Sequence, residues 1–249
     1  MSEQRYILTV AGFDPSNGAG LTADLKTFQA HGLYGLSVCT TVTVQNDVDF
    51  KSSHWLDQTL ILEQIRVLFE RFDIRVAKIG IVENWQTLLL VVKELVRLTP
   101  TIQIVLDPVL KASAGFDFHS DDELEVLDEV LSMIHMITPN FEEIQQLYPH
   151  KTIEETIDHL RSKTNVYLKG GHRADRIGLD EVFYGDQRLE IEPQGENISP
   201  KHGSGCVLSS ALASQFTLGA SLQDAAVSSK RYTEQFLSST PGLLGNHRT

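Results

Sequence analysis

The sequence predicts an α/β fold built on a mostly parallel, doubly wound sheet. Strand-like runs alternate with helical patterns along the 249 residues, which is the order expected of repeated βαβ units. Their starts lie about 30 residues apart, the length of one such unit. Most runs are β-branched or aliphatic on both faces, as expected of parallel strands covered by helices on two sides. A ligand of such a sheet binds beyond the carboxyl ends of its strands.

Each predicted strand is a short apolar run bounded by glycine, proline or polar residues. The strands are residues 6–11, 36–44, 75–79, 102–106, 133–138 and 165–169. The predicted helices between them carry apolar residues at helical spacing, as in the stripe that contains Ile61, Ile65 and Leu68. The helices are residues 21–31, 56–72, 84–98, 121–131, 141–148 and 153–163.

The last third of the chain departs from simple alternation. Residues 181–184 and 188–191 are joined by a Gly-Asp pair and predict a β-hairpin. Two helices, residues 205–219 and 222–238, follow it, and residues 238–249 form a short tail. Because the sequence contains no linker, low-complexity tract or internal repeat, we predict a single domain that spans the whole chain.

Composition and charge exclude several functional classes. Lys and Arg number 21 and Asp and Glu 33, a net charge of −12, so no overall basic field attracts nucleic acid or an anionic membrane. The longest apolar run, residues 88–92, is far shorter than the about 20 residues of a membrane-spanning helix. The N-terminus lacks a signal-peptide cleavage site, and Cys39 and Cys206 form no CxxC pair. We expect a cytoplasmic protein without nucleic-acid or membrane partners.

The sharpest local signal is a glycine-rich turn, His202-Gly203-Ser204-Gly205-Cys206, that opens directly into a helix. Helix N-termini carry unpaired N–H groups and a partial charge of about +0.5. Glycines allow phosphate oxygens to approach that backbone, so the turn predicts an anion hole. The spacing fits neither the dinucleotide fingerprint nor a Walker A loop. The structural alternative is a plain glycine cap on a buried helix.

Cys206 lies in the first turn of that helix, where the helix dipole favours a thiolate over a thiol. A thiolate there could take a proton from a substrate hydroxyl during phosphoryl transfer. The alternative is that Cys206 is a small buried hydrophobic residue, as most free cysteines are. Cys39 lies in an apolar strand and is predicted to belong to the core.

Two further segments predict a site for a flat, polar ligand. A glycine-rich loop follows the first strand, where Gly12 would let a ring approach the backbone and Asp24 could accept from a hydroxyl or amino group. Gln45 ends the second strand, and its amide can donate to a ring nitrogen while it accepts from an amine. A flexible loop and strand-end capping by Gln45 and Asn46 remain as alternatives.

Polar residues also follow three later strands. Asp107 and Asn140, with Glu143 three residues on, offer the hard oxygen ligands that Mg²⁺ takes beside a nucleotide phosphate. Lys169 could spread the negative charge of a transferring group. Asn140 and Glu143 could equally be a helix-capping pair. Each of these groups alone is a weak signal, and their coincidence at successive strand ends is the stronger observation.

Together these stretches resemble the hydroxymethylpyrimidine/phosphomethylpyrimidine kinases of thiamine biosynthesis, in the ribokinase-like superfamily. The matching motifs occur in family order over residues 5 to about 237. They are residues 11–14, 18–20, 23–28, 45–46, 78–80, 107–109, 138–140, 169–172 and 202–206.

The resemblance implies a three-layer α/β/α sandwich that transfers the γ-phosphoryl of MgATP to 4-amino-5-hydroxymethyl-2-methylpyrimidine and then to its monophosphate. It implies a pyrimidine pocket lined by Gly12, Asp24, Gln45, Ile81 and Val109, with Ile81 in place of a methionine common in relatives. It implies an anion hole of Gly203, Ser204 and Gly205, with Cys206 as the catalytic base. Lys169 would contact nucleotide phosphates, and Asp107, Asn140 and Glu143 would organise magnesium and water. The family also suggests a homodimer.

Two other functions stay open at this point. Pyridoxine/pyridoxal kinases share the expected fold and can share a cysteine in the anion hole. A pyrimidine- or nucleotide-binding module without catalytic activity would carry the same ligand-binding residues.

Overall fold

A computed structural model of the chain describes residues 4–112, 116–117, 124–171, 173 and 176–248. Within these ranges the strands are β1 Tyr6–Phe13, β2 Tyr34–Gln45, β3 Phe50–Trp55, β4 Ile74–Ile79, β5 Gln103–Leu106, β6 Lys111–Ala112, β7 Phe116–Asp117, β8 Met136–Ile137, β9 Asn165–Leu168, β10 Asp180–Tyr184 and β11 Gln187–Ile191. The helices are α1 Gly20–Ala30, α2 Gln58–Phe69, α3 Trp85–Leu98, α4 Leu124–Leu131, α5 Phe141–Leu147, α6 Ile153–Arg161, α7 Ser204–Leu218 and α8 Leu222–Leu237.

Nine of the described strands form one sheet in the order β11-β10-β9-β8-β5-β4-β1-β2-β3. The central strands from β9 to β2 are parallel, whereas β3 on one edge and β10 and β11 on the other are antiparallel. The prediction of a mostly parallel sheet is therefore confirmed. β6 and β7 form a separate two-stranded pair.

Helices cover both faces of the sheet and bury two separate cores. In β5, Ile104 packs in the core beneath α2 to α6, while the adjacent Val105 packs in the core beneath α1, α7 and α8. Because successive side chains of a strand point to opposite faces, this alternation makes three layers. The strands are apolar on both faces for that reason.

Strand β3 is the main element that the sequence did not predict. Its six residues, Phe50–Trp55, are mostly polar, and none of them is fully buried at the edge of the sheet. The side chain of Asn46 closes the turn before it, accepting from the backbone N–H groups of Val48 and Asp49 at 2.8 and 2.7 Å. Asn46 thus has the capping role left open by the sequence. An edge strand without a buried face carries no hydrophobic alternation to reveal it.

Other element bounds differ from the prediction by a few residues. Helix α2 begins at Gln58 because Asp57 caps it by accepting from Thr59 N–H at 2.8 Å. Strand β8 is limited to Met136–Ile137 within the predicted 133–138. The start of the predicted helix 121–131 lies outside the described residues, and α4 accounts for the rest.

The strand order reverses direction at β1. The chain passes from β1 to β2 on one side and then returns to β4 on the other. The loops that follow β1 and β4 therefore separate and leave a crevice at the carboxyl ends of these strands, which is where ligands of doubly wound sheets bind. Helix α7 packs against β1, β4 and β5 and brings its N-terminus to this edge of the sheet.

The segment after α8 folds back onto the protein, although the sequence predicted only a short tail. The backbone N–H of His202 donates to the carbonyl of Leu243 at 2.9 Å, and Lys201 Nζ donates to the carbonyl of Thr240 at 2.7 Å. His247 packs on the ring of Phe236. Across the described ranges, no helix combines the length and apolar character needed to cross a membrane.

Candidate active site

The predicted anion hole is a helix N-terminus without a side-chain cap. Gly203 is the N-cap of α7 and has a left-handed backbone with φ of 78°. A Cβ at this position would lie 2.0 Å from the carbonyl oxygen of Gly18, so only glycine fits. The first hydrogen bond within the helix is donated by the backbone N–H of Val207 to the carbonyl oxygen of Gly203, at 3.0 Å. The N–H groups of the first turn, residues 204–206, have no acceptor within the helix, and such groups are the ones that bind anions at helix N-termini.

Lys169 and Asp107 lie directly beside this turn. A Cβ at Gly205 would be 3.3 Å from Lys169 Nζ and 3.8 Å from Asp107 Oδ2. Lys169 Nζ donates to Asp107 Oδ1 at 2.8 Å and forms an ion pair with Glu143 Oε2 at 3.3 Å. Ser209 of α7 donates to Asp107 Oδ2 at 3.2 Å. The predicted groups after β5, β8 and β9 therefore meet at the N-terminus of α7.

The two carboxyl groups beside Lys169 differ in acidity. Burial raises the pKa of Asp107, but Lys169 and Lys78 outweigh it, and the net pKa lies below the usual value. Burial also raises the pKa of Glu143, and Asp107 adds to this while Lys169 opposes it, which brings the pKa to about 7. The lysine therefore faces one firmly ionised carboxylate and one that takes up a proton near neutral pH.

Asn140 is a helix cap in this structure. Its Oδ1 accepts from the N–H groups of Glu142 and Glu143, both at 2.8 Å, and Glu143 Oε2 accepts from Asn140 N–H at 2.7 Å. This reciprocal arrangement is a capping box. The Asn140 amide oxygen uses both of its lone pairs in the cap, and its role as a magnesium ligand stays a prediction. In the part of the chain that the structure describes, no cluster of three or more His, Cys, Asp or Glu side chains is arranged to hold a metal.

Asp24 lies beneath the crevice instead of lining it. Its side chain is completely buried, and Lys78 Nζ donates to its two oxygens at 3.0 and 2.8 Å. Thr9 and Ser210 donate to the same carboxylate at 2.6 and 2.7 Å. β1, β4 and α7 therefore supply the partners of this carboxylate, and a direct contact of Asp24 with the substrate stays a prediction.

Lys78 is a residue of the site to which sequence reasoning gave no role. It is completely buried in β4, and Asp24 holds its pKa above the ordinary value despite the opposing effect of burial. The Lys78 ammonium also interacts with Cys206 and Asp107. The available signal was a lysine within the otherwise apolar run of residues 76–79, since a buried charge is rarely tolerated without a partner.

Cys206 lies within this group of charges, but its thiol is less acidic than predicted. Burial raises the pKa of the Cys206 thiol to about 11, and the Asp24 and Asp107 carboxylates add to the rise. Lys78 and the backbone N–H of Gly20 act in the opposite direction. Desolvation of the thiolate thus outweighs the helix N-terminus and favours the thiol near neutral pH, and the role of Cys206 as a base stays a prediction.

The other predicted pyrimidine-binding residues lie in three places: Gly12 with Ile81, Val109, and Gln45. A Cβ at Gly12 would lie 2.9 Å from Ile81 Cγ2, so these two residues share one wall beside β1. Val109 is half-buried after β5, with its N–H bonded to the Asp107 carbonyl at 2.9 Å. Gln45 lies on the β2–β3 hairpin, three positions past the last β1–β2 pair, Phe13 with Val42. His172 of the matching motif lies outside the described residues.

An uncapped helix N-terminus, a buried lysine and carboxylates at the switch point of a parallel sheet make an arrangement suited to phosphoryl transfer. The fold and site together define a ribokinase-like phosphotransferase.

Comparisons with known proteins agree. Residues 14–248 match the family model described as phosphomethylpyrimidine kinase. The hydroxymethylpyrimidine/phosphomethylpyrimidine kinase of Aquifex aeolicus is 34% identical over 219 residues, which cover 84% of this chain and 85% of that protein. The crystal structure of phosphomethylpyrimidine kinase from Clostridium difficile is 30% identical, with a TM-score of 0.78 over 93% of this chain and 99% of that chain. The chain belongs to the phosphomethylpyrimidine kinase family.

The fold is also shared with kinases of another vitamin. The ADP complex of Bacillus subtilis pyridoxal kinase superposes with a TM-score of 0.84 over 99% of this chain and 97% of that chain, at 23% identity. At this identity the likeness shows the fold alone.

Proposed function

We propose that this enzyme uses ATP to phosphorylate the alcohol of 4-amino-5-hydroxymethyl-2-methylpyrimidine and then the resulting monophosphate, in thiamine biosynthesis or salvage. The observation that carries the proposal is the open N-terminus of α7, with Lys169 beside it and Cys206 in its first turn. Family membership supports the substrate class, and the ligands named for related structures support a nucleotide as the phosphoryl donor.

The proposed reaction is an in-line transfer. The alcohol oxygen bonds to the γ-phosphorus of ATP, the bond from that phosphorus to the β,γ-bridging oxygen breaks, and ADP leaves. The N–H groups of Ser204 and Gly205 and the Lys169 ammonium stabilise the negative charge on the transferring group. Cys206 acts as its thiolate and accepts the proton of the alcohol.

Magnesium fits this site through Asp107 and Glu143. Both are hard oxygen donors, and Mg²⁺ commonly takes only one or two protein carboxylates alongside water and phosphate oxygens. A bound ion would supply charge neutralisation on the nucleotide phosphates. Glu143, whose pKa is about 7, would lose its proton to serve as a ligand.

Product analysis tests the proposal directly. The enzyme is incubated with hydroxymethylpyrimidine, ATP and Mg²⁺, and the pyrimidine products are identified by mass. We expect the monophosphate first and the diphosphate after it. ADP release without a phosphorylated pyrimidine, or ligand binding without ADP release, would contradict the proposal.

Pyridoxal phosphorylation is the second candidate because the fold is shared with pyridoxal kinase. Initial rates for pyridoxal and the pyrimidine, measured side by side, separate the two. We expect a higher kcat/KM for the pyrimidine. The reverse preference would assign the enzyme to pyridoxal.

A further inference from the structure

One carboxylate joins the loop after β1 to the turn that forms the anion hole. We name residues 14–19 the β1–α1 loop and residues 202–206 the anion-hole turn. Asp14 Oδ2 lies 2.9 Å from His202 Nε2, and both side chains are almost completely buried. The same carboxylate accepts from the backbone N–H groups of Ser16 and Ala19 at 2.8 and 2.9 Å. It also accepts from Ser16 Oγ at 2.8 Å and from Gly18 N–H at 3.2 Å.

The β1–α1 loop and the anion-hole turn are closely packed against each other. A Cβ at Gly18 would lie 2.5 Å from His202 Cδ2, and one at Gly203 would lie 2.8 Å from Ala19 Cα. Immediately beyond the loop, the backbone N–H of Gly20 faces Cys206 and lowers the pKa of its thiol. A movement of His202 is therefore transmitted to the backbone on both sides of the crevice.

His202 is held from a second direction. Its backbone N–H donates to the carbonyl of Leu243 in the C-terminal segment at 2.9 Å. The next residue, Gly203, begins the helix whose first N–H groups form the anion hole. His202, which directly precedes the anion hole, is thus held both by its imidazole and by its backbone N–H.

We propose that Asp14 and His202 are positioning residues for phosphoryl transfer, holding the anion-hole turn in register with the β1–α1 loop so that Cys206 and the hole face the same reacting atoms. The proposal rests on the proposed function for its kinetic test. Neither side chain touches the transferring group in this role. The pair acts through Gly203 and Cys206, which it keeps in place.

Three substitutions test the pair. His202→Leu removes the donor to Asp14, whereas His202→Gln keeps an N–H in a similar place. Asp14→Asn places an NH₂ group against the donors that now surround the carboxylate. We expect kcat to fall about 10- to 100-fold in His202→Leu and Asp14→Asn, because misplacement by about 1 Å can cost 100-fold. KM for both substrates should change less than about threefold, and His202→Gln should recover most of kcat.

A matched His–Asp pair elsewhere provides the control. His159 Nε2 of α6 lies 2.7 Å from Asp128 Oδ1 of α4, in a part-buried pair that joins two helices. His159→Leu and Asp128→Asn should lower the melting temperature without changing kcat of the folded enzyme. The proposal is overturned if the control variants lose as much kcat, if the loss at His202 and Asp14 appears in KM, or if His202→Gln recovers nothing.

Alkylation of the two free cysteines gives a second readout that needs no turnover. Iodoacetamide labelling is followed peptide by peptide, with Cys39 as the internal reference. Loosening of the turn in His202→Leu should speed labelling of Cys206 several-fold relative to Cys39, and His159→Leu should not. An unchanged ratio would overturn the positioning role. If the wild-type enzyme fails to phosphorylate the pyrimidine, the proposed function fails while this ratio still decides the role of the pair.

Discussion

Lys78 and Asp24 form a charge pair with no access to solvent. Each side chain is completely buried, and the carboxylate accepts from Thr9 and Ser210 as well as from the lysine. A pair of this kind contributes little net stability compared with apolar residues, but removal of one partner leaves an uncompensated charge in the core. The pair also places a positive charge near Cys206, where it favours the thiolate.

Lys78→Met should therefore lower the free energy of unfolding by about 3–5 kcal/mol. The double variant Lys78→Met/Asp24→Asn should regain part of this loss, because the amide carries no charge and its oxygen still accepts from one of the hydroxyls of Thr9 and Ser210. The exposed pair Arg75–Asp73 is the matched control, and Arg75→Met should cost less than about 1 kcal/mol. Urea unfolding measures all three. A loss below 1 kcal/mol in Lys78→Met would show that the pair is not buried as described.

Among the elements, the C-terminal segment is one whose packing depends on the protonation of a buried histidine, His247. Burial, together with repulsion from Lys26 and from His31 when it is protonated, lowers the pKa of His247 to about 4. The neutral ring lies 3.0 Å from the hydroxyl of Tyr232 and packs on Phe236. The same segment holds the backbone of His202, so its attachment bears on the anion-hole turn.

This lowered pKa predicts a loss of stability on the acid side. An unfolded histidine titrates near 6.5, so between about pH 6.5 and 4 the unfolded chain binds a proton that the folded protein excludes. The free energy of unfolding should fall as the pH drops through this window. His247→Phe should reduce the difference between urea unfolding at pH 7 and pH 5, and His150→Phe on an exposed residue is the control. An undiminished difference in His247→Phe would contradict the assignment.

The elements that the sequence predicted are those with buried faces. β1, β4, β5 and β9 were recognisable because both of their faces are apolar, and the strand-end residues Asp107 and Lys169 followed from the parallel topology. β3 was not predicted from the sequence because neither of its faces is buried. Pairings between residues far apart in the sequence were not predicted either. Asp24 and Lys78 are 54 positions apart and Asp14 and His202 are 188 apart, and a single sequence does not show which charged groups meet.

For the whole molecule, a net charge of −12 does not favour an anionic ligand. Positive charge is supplied locally at the switch point of the sheet, by the N-terminus of α7, the half-buried Lys169 and the completely buried Lys78. The carboxylates of Asp107, Glu143 and Asp24 balance these lysines. Such a site attracts phosphate by fixed dipoles and paired charges rather than by a broad positive surface.

We propose that Cys206 deprotonates the alcohol while the adjacent N–H groups hold the phosphoryl group. Cys206→Ala should lower kcat about 100- to 10,000-fold, the usual contribution of a general base, with a much smaller effect on pyrimidine binding. Near-normal turnover in this variant would remove Cys206 from the mechanism.

The most direct measurement is the pH dependence of kcat/KM for the pyrimidine in the wild-type enzyme and in Cys206→Ala. With a thiol pKa of about 11 in the free enzyme, only the thiolate fraction is active at neutral pH. The wild-type kcat/KM should therefore rise about tenfold per pH unit above pH 8 towards that value. Cys206→Ala should lose this rise. The same slope in both enzymes, or a flat wild-type profile over this range, would contradict the account.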